Sequence, residues 1–277
     1  STVNADGGGT VAFECTSPAN SFWCPRLSYF NFRLRVQSRK SDGTTEALTS
    51  MDAGTGSGSM GGGNIQFRSY PAAACVQSFS HSINGVTVET VSDVQETAAF
   101  LNRTGMSYEY ARTAGNSLYR LAGEDGKRNS GSVSPGGALQ PWDGTNNTRT
   151  VFCCALLPPS GLFSMPGSLP GGRHRFVLTL QNDLRTRCML MDASRSALLS
   201  TAQHYVTCQI EEVRFHMCHI VPDAPIPVPR NVVLSIHPLT VVKSGLSSSG
   251  GSSTRTLSVP PSTDRLFVGV NLTTAGS

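Results

Sequence analysis

Charge is scarce in this chain. Asp, Glu, Lys and Arg make up 14% of its 277 residues and sum to a formal net charge of +4. No cluster of Lys and Arg offers a phosphate-tracking surface, so there is no strong nucleic-acid signature. Long apolar runs are missing as well. The longest, Val151–Leu157, has seven residues, far short of the roughly 20 that a membrane-spanning helix needs. No transmembrane segment is expected.

Signatures of chemistry are equally thin. The sequence contains no G-x-S-x-G, no H-E-x-x-H and no D-x-D, spacings that would set a nucleophile, a zinc pair or paired carboxylates. Gly56-Ser-Gly-Ser-Met-Gly61 matches G-x-G-x-x-G, but polar loop text precedes it and Gly62-Gly63 follows it. A pyrophosphate site needs a strand before the glycines and a helix N-terminus after them, so this segment reads as a flexible loop. His204, Cys208, His216, Cys218 and His219 are dense enough to raise the question of a metal. Zinc wants two converging ligand pairs, and only His216 and Cys218 would share a strand face, so these read as ordinary strand residues. No catalytic, cofactor-binding or metal-ligating residue is assigned, no cofactor is implied, and the protein is read as not an enzyme.

What the chain does have is turn chemistry between short apolar stretches. An apolar fraction of 38% alongside abundant Ser, Thr, Gly and Asn suits many short strands rather than a helical bundle. Tyr29–Gln37 alternates strictly, with Phe30, Phe32, Leu34 and Val36 on one face, as a half-buried antiparallel strand requires. Thr10–Cys15, Ile65–Phe67 and Cys75–Ile83 are further candidates. Asn84-Gly85 predicts a two-residue hairpin, because both central residues of a type I′ turn need positive φ. Helical periodicity follows from Ser92, with Val94, Ala98 and Leu101 apolar and Ser92 and Gln95 placed as a capping box. A second helical stretch is expected over Tyr108–Leu121, then a polar surface excursion over residues 123–147. Trp23 and Trp142 each stand beside prolines and read as loop anchors.

The central feature is residues 158–172, where four prolines and four glycines occur in fifteen residues. This cannot be helix or mid-sheet. Leu162, Phe163, Met165 and Leu169 are nevertheless apolar, so the elbow should pack down rather than hang free. Beyond it, Phe176, Leu178 and Leu180 alternate again. Tyr205–Ile220 changes parity at Glu211-Glu212, where a bulge or bend would restore a single buried face. Strands are also expected at Val232–Ile236, Thr256–Val259 and Leu266–Val270. The domain plan is therefore an N-terminal β-sandwich over 1–157, with a helical and loop excursion over about 92–147, the elbow at 158–172, and a C-terminal sandwich over 173–277.

Eight cysteines, at 15, 24, 75, 153, 154, 188, 208 and 218, are irregularly spaced, and several lie in apolar strand text. They read as buried free thiols made in a reducing compartment. The polar opening Ser1–Asp6 carries no secretory leader, so the sequons at Asn102, Asn146 and Asn271 read as accidental.

Taken in order, these stretches resemble the double jelly-roll major capsid proteins of tailless icosahedral viruses, virophages and polinton-like elements. The resemblance is carried by the alternating strand at Ser28–Gln37 and by Cys75-Val-Gln-Ser-Phe-Ser-His-Ser-Ile-Asn-Gly-Val86. Tyr108-Glu-Tyr110, Leu156-Leu-Pro-Pro-Ser-Gly-Leu-Phe163, Leu169-Pro-Gly-Gly172 into Phe176–Leu180, and Arg265-Leu-Phe-Val-Gly-Val270 continue it. It implies an all-β fold of two tandem jelly-roll sandwiches with short helices in the first half. It also implies a viral major capsid protein that self-assembles, as pseudo-hexameric homotrimers, into an icosahedral shell. Its partners would be copies of itself, neighbouring capsomers, and minor capsid or penton proteins. Its place would be the virion, after assembly inside the host cell. Two other readings stand beside it: a capsid protein with one shell jelly roll and a projecting β-domain, and a carbohydrate-binding or adhesive β-sandwich.

Overall fold

Alternation in the sequence becomes burial in the structure. In β4 (Tyr29–Lys40) the side chains of Phe30, Phe32 and Leu34 are fully buried. In β11 (Arg173–Leu180) His174, Phe176, Leu178 and Leu180 point inward while Arg173 and Arg175 are exposed. Each large apolar side chain withdrawn from water in this way stabilises the fold by about 1.5–3 kcal/mol. The computed structural model describes residues 2–3, 8–40, 45–47, 65–67, 70–98, 151–165, 167–191 and 204–227.

Two antiparallel sheets carry most of the described strands. The first runs β1 (Thr2–Val3), β2 (Gly9–Thr16), β11, β7 (Val76–Ile83) and β8 (Val86–Ser92). In the second, β13 (His204–His216) lies along the whole of β4, whose other edge pairs β5 (Thr45–Ala47) and β9 (Val151–Leu156). Smaller ladders join β10 (Leu169–Pro170), β3 (Phe22–Trp23) and β14 (His219–Ile220), and β12 (Met189–Met191) with β6 (Ile65–Phe67). The sheets meet through aromatic rings. Phe30 lies edge-on to Phe79 at 6.1 Å and to Phe176 at 6.0 Å, and Phe215 lies 4.5 Å from Phe176. Edge-to-face and tilted pairs at such separations suit the ring quadrupole.

Local signals decide several details. Asn84 and Gly85 take φ of 49° and 84° between the paired Ile83 and Val86, the two-residue hairpin that the sequence predicts. The register of β13 on β4 shifts between Ile210 and Glu212, which lets Cys208 and Ile210 before the bulge and Val213 and Phe215 after it pack on the core. Residues 94–98 are helical and bury Val94 and Ala98. Helical turns at Pro71–Ala74 and Leu184–Cys188 are each too short to leave a period in the sequence. Residues 56–61, 108–121, 123–147, Trp142 and the expected strands beyond residue 230 lie outside the described residues.

The elbow differs from expectation in one respect. The sequence predicts a sandwich over 1–157 and another over 173–277, but among the described residues β11 lies between β2 and β7, and β13 runs along β4. The described strands on both sides of 158–172 thus build one sandwich. The reason is that β11 buries one face and has two hydrogen-bonding edges to fill, and strands from the first part of the chain fill both. The elbow packs on this shared core. Leu162, Phe163 and Leu169 are buried, and the Phe163 ring stands edge-on to Trp23 at 5.5 Å and to Phe79 at 5.8 Å. Replacing Phe163 by Ala should therefore lower global stability by about 3–5 kcal/mol, read as a shifted urea midpoint. An unchanged midpoint would show that the elbow lies outside the cooperative core.

Candidate functional site

Three buried polar clusters stand out in a core otherwise apolar, and each holds two distant segments together. The first is centred on Ser28, which is fully buried. Its hydroxyl accepts from Trp23 Nε1–H at 2.9 Å and from the Cys218 amide at 3.0 Å, and donates to the Cys24 carbonyl at 2.8 Å. A hydroxyl has one proton and two lone pairs, so this one is fully used. It stands in for a ladder bond between Cys218 N–H and Cys24 C=O and fixes the Trp23 indole at the same time.

The second cluster clasps the elbow. Glu89 on β8 is buried, and its carboxylate accepts the Gly161 amide at 2.9 Å and the Ser160 hydroxyl. A buried carboxylate without such donors would be costly, so Glu89 and the 160–161 turn require each other.

The third cluster is a histidine pair. His81 on β7 and His174 on β11 are almost fully buried, with His81 Nε2 and His174 Nδ1 3.2 Å apart. His81 stacks on Phe176 at 4.4 Å and His174 packs on Trp23 at 4.5 Å. Burial, followed by the neighbouring His174, lowers the pKa of His81 to about 3. Burial, with His219 adding to it, lowers that of His174 to about 4. Both rings are therefore neutral at ordinary pH. The outer nitrogens, His81 Nδ1 and His174 Nε2, have no hydrogen-bond partner, so protonating either ring would bury an uncompensated charge.

The residues singled out in the sequence are dispersed. His204 and His216 lie at opposite ends of β13, paired with Lys40 and Tyr29, so the twelve steps between them span roughly 40 Å of strand. His216 stacks on Tyr29 at 4.7 Å, and His219 reaches the Ser17 hydroxyl at 3.2 Å. Cys208 is buried beside Cys188. Among the described residues no group of three or more His, Cys, Asp or Glu is placed to hold a metal ion. Glu211 pairs with Arg33, at 3.0 Å, and with Arg35, while Glu212 pairs with Arg214 at 2.7 Å. Trp23 is the core anchor its context suggested. The sequence reading missed His81, His174 and Glu89, although each falls in phase with a buried row: His81 with Phe79, His174 with Phe176, and Glu89 with Val91.

No family model matches the chain, and no curated protein matches it. Solved structures do. A chain in the structure of the Sputnik virophage superposes with a TM-score of 0.52, covering 82% of this chain and 49% of that one at 16% identity. The fold is an all-β jelly roll. The mavirus major capsid protein also matches, at 12% identity and a TM-score of 0.47, over 83% of this chain and 47% of that one. This chain thus spans about half the length of each of these two chains, at identities that show the fold alone.

Two measurements test the clusters. Ser28→Ala should cost about 2 kcal/mol or more, because the Trp23 indole N–H, the Cys218 amide and the Cys24 carbonyl all lose a partner in the interior; a loss below 1 kcal/mol would mean that they find partners elsewhere. The histidine pair sets an acid limb. Unfolded histidines protonate near pH 6.5, whereas the folded ones stay neutral down to about 4 and about 3. The unfolded chain thus binds more protons in that window, and stability falls as pH drops through it. The slope reaches about 1.4 kcal/mol per pH unit for each histidine. His81→Gln with His174→Asn keeps a nitrogen or oxygen near each bonded position but cannot titrate. Urea midpoints between pH 7 and 5 should fall less steeply in the double variant, and equal slopes would refute the assignment.

Proposed function

We propose that the chain is a structural subunit of a viral capsid, acting by assembly with copies of itself rather than by chemistry. The observation that carries this reading is the overlap of its jelly roll with a chain of a virophage particle across 82% of its length. The outer surface suits repeated packing. Glu14 bridges Arg173 at 2.6 Å and Arg175 at 3.6 Å on one sheet, and Glu211 bridges Arg33 and Arg35 on the other, so each carboxylate offsets one of the two arginine charges beside it. Among the described residues five large apolar side chains are more than half exposed: Val86 opens β8, Leu27 follows β3, Ile220 ends β14, and Val221 and Ile226 follow in the proline-rich loop. Such residues fit the apolar centre of a protein–protein contact.

In this proposal copies form pseudo-hexameric trimers that tile an icosahedral shell, assembled inside the host cell and carried in the virion, with minor capsid or penton proteins as further partners. In a subunit with two jelly rolls, the sandwich described here occupies one of the two positions. Light scattering and electron microscopy of purified protein test the reading. Three-lobed capsomers or closed shells are expected, and Val221→Asp should reduce assembly while leaving the thermal midpoint within about 1 °C, as for a surface change. A protein that stays monomeric at every concentration would overturn it.

A further inference from the structure

The described thiols include a buried group, Cys75, Cys188 and Cys208, and a pair at the edge, Cys24 and Cys218, and the two differ in access. Cys75 Sγ and Cys188 Sγ are 3.5 Å apart, but both residues are fully buried. Cys24 and Cys218 lie at the edge of the sandwich, where Cys24 is 6% exposed and Cys218 more so. Both are free thiols. The ladder of β3 with β14 pairs Phe22 with Ile220 and Trp23 with His219, so the next opposed pair is Cys24 and Cys218. A backbone hydrogen bond of 2.8 Å from the Cys24 amide to the Cys218 carbonyl holds them in that register. The Ser28 hydroxyl bridges the other side of this pair, from the Cys218 amide to the Cys24 carbonyl, and the two thiols lie within side-chain hydrogen-bonding reach of each other, the proximity that a disulfide requires.

We infer that Cys218 is a thiol-exchange site for small-molecule disulfides, with Cys24 as the resolving thiol, and that together they form an oxidative latch across the edge of the sandwich. The Cys218 thiolate attacks one sulfur of oxidised glutathione. The glutathione S–S bond breaks, one glutathione thiolate leaves, and a Cys218–glutathione mixed disulfide forms. The Cys24 thiolate then attacks the Cys218 sulfur and expels the second glutathione. Two cysteine sulfurs are oxidised, one glutathione disulfide is reduced to two thiols, and the two cysteine protons end on those thiols. Partial exposure makes Cys218 the entry point, and the backbone hydrogen bond keeps Cys24 beside it. Burial, followed by the adjacent Cys218, raises the pKa of Cys24, so the resolving step should accelerate with rising pH.

The closed bond would tie residue 24 to residue 218 and so restrict the unfolded chain over nearly the whole described sequence, which is the situation in which a cross-link stabilises most. None of this depends on the capsid reading, because the latch lies within one chain.

The test is native oxidation of the intact protein with oxidised glutathione at pH 8, followed by alkylation, mass measurement and non-reducing peptide mapping. Two of the eight cysteines should become protected, a peptide joining Cys24 to Cys218 should appear, and the thermal midpoint should rise by about 5 °C and return on adding dithiothreitol. Cys75 and Cys188 should remain alkylatable after denaturation. Cys218→Ser should abolish both the cross-link and the rise. Eight unprotected thiols, a stable Cys218–glutathione adduct with no cross-link, or a cross-link between other cysteines would each overturn the inference. If the Cys218→Ser variant fails to fold, the peptide map of the unaltered chain decides alone.

Discussion

The structure depends on one strand meeting three demands at once. β11 must bury His174, Phe176, Leu178 and Leu180 on one face and satisfy backbone groups on both edges. Unpaired backbone donors inside a sandwich cost about as much as a lost buried hydrogen bond, so neither edge can be left open. β2 on one side and β7 on the other answer that demand, and the second sheet then closes over Phe176 through Phe30 and Phe215. The buried clusters follow from this placement. Glu89 ties the approach to β11 onto β8, and the histidine pair joins β11 to β7 from the side-chain layer.

Period-two alternation made β4 and β11 legible in the sequence because each has a single wet face. Asn84-Gly85 was legible because only a tight turn uses that dipeptide between two apolar stretches, and the β13 bulge because parity reversed at Glu211-Glu212. Partnership was not legible. The same alternation that identifies β11 says nothing about which edges it joins, and a stretch dense in proline and glycine looks alike whether it links two domains or folds onto one. Leu162, Phe163 and Leu169 did announce that the elbow packs, although not that its surface belongs to the same core as Trp23 and Phe79.

The polar clusters show a different limit. His81, His174 and Glu89 are single polar letters in otherwise apolar inward rows, a pattern visible in principle. A reading that searches for dense groups of ligating residues passes over them, because each stands alone on its strand and meets its partner only through tertiary pairing. The His/Cys-rich stretch at 204–219 has the opposite character. It is dense in sequence and dispersed in space, because an extended chain places neighbours on opposite faces or far apart along its length.

The position of β11 also orders events in time. β2 and β7 are complete by residue 83, but the strand between them ends at residue 180. During synthesis those two strands emerge with exposed edges and an incomplete face, and nearly a hundred further residues must follow before the first sheet can close. Pairing over such a separation slows folding and lengthens exposure of sticky edges. The nascent chain is thus most vulnerable to misassociation in that interval, and a helper that shields open strand edges would act before the insertion of β11 rather than after it.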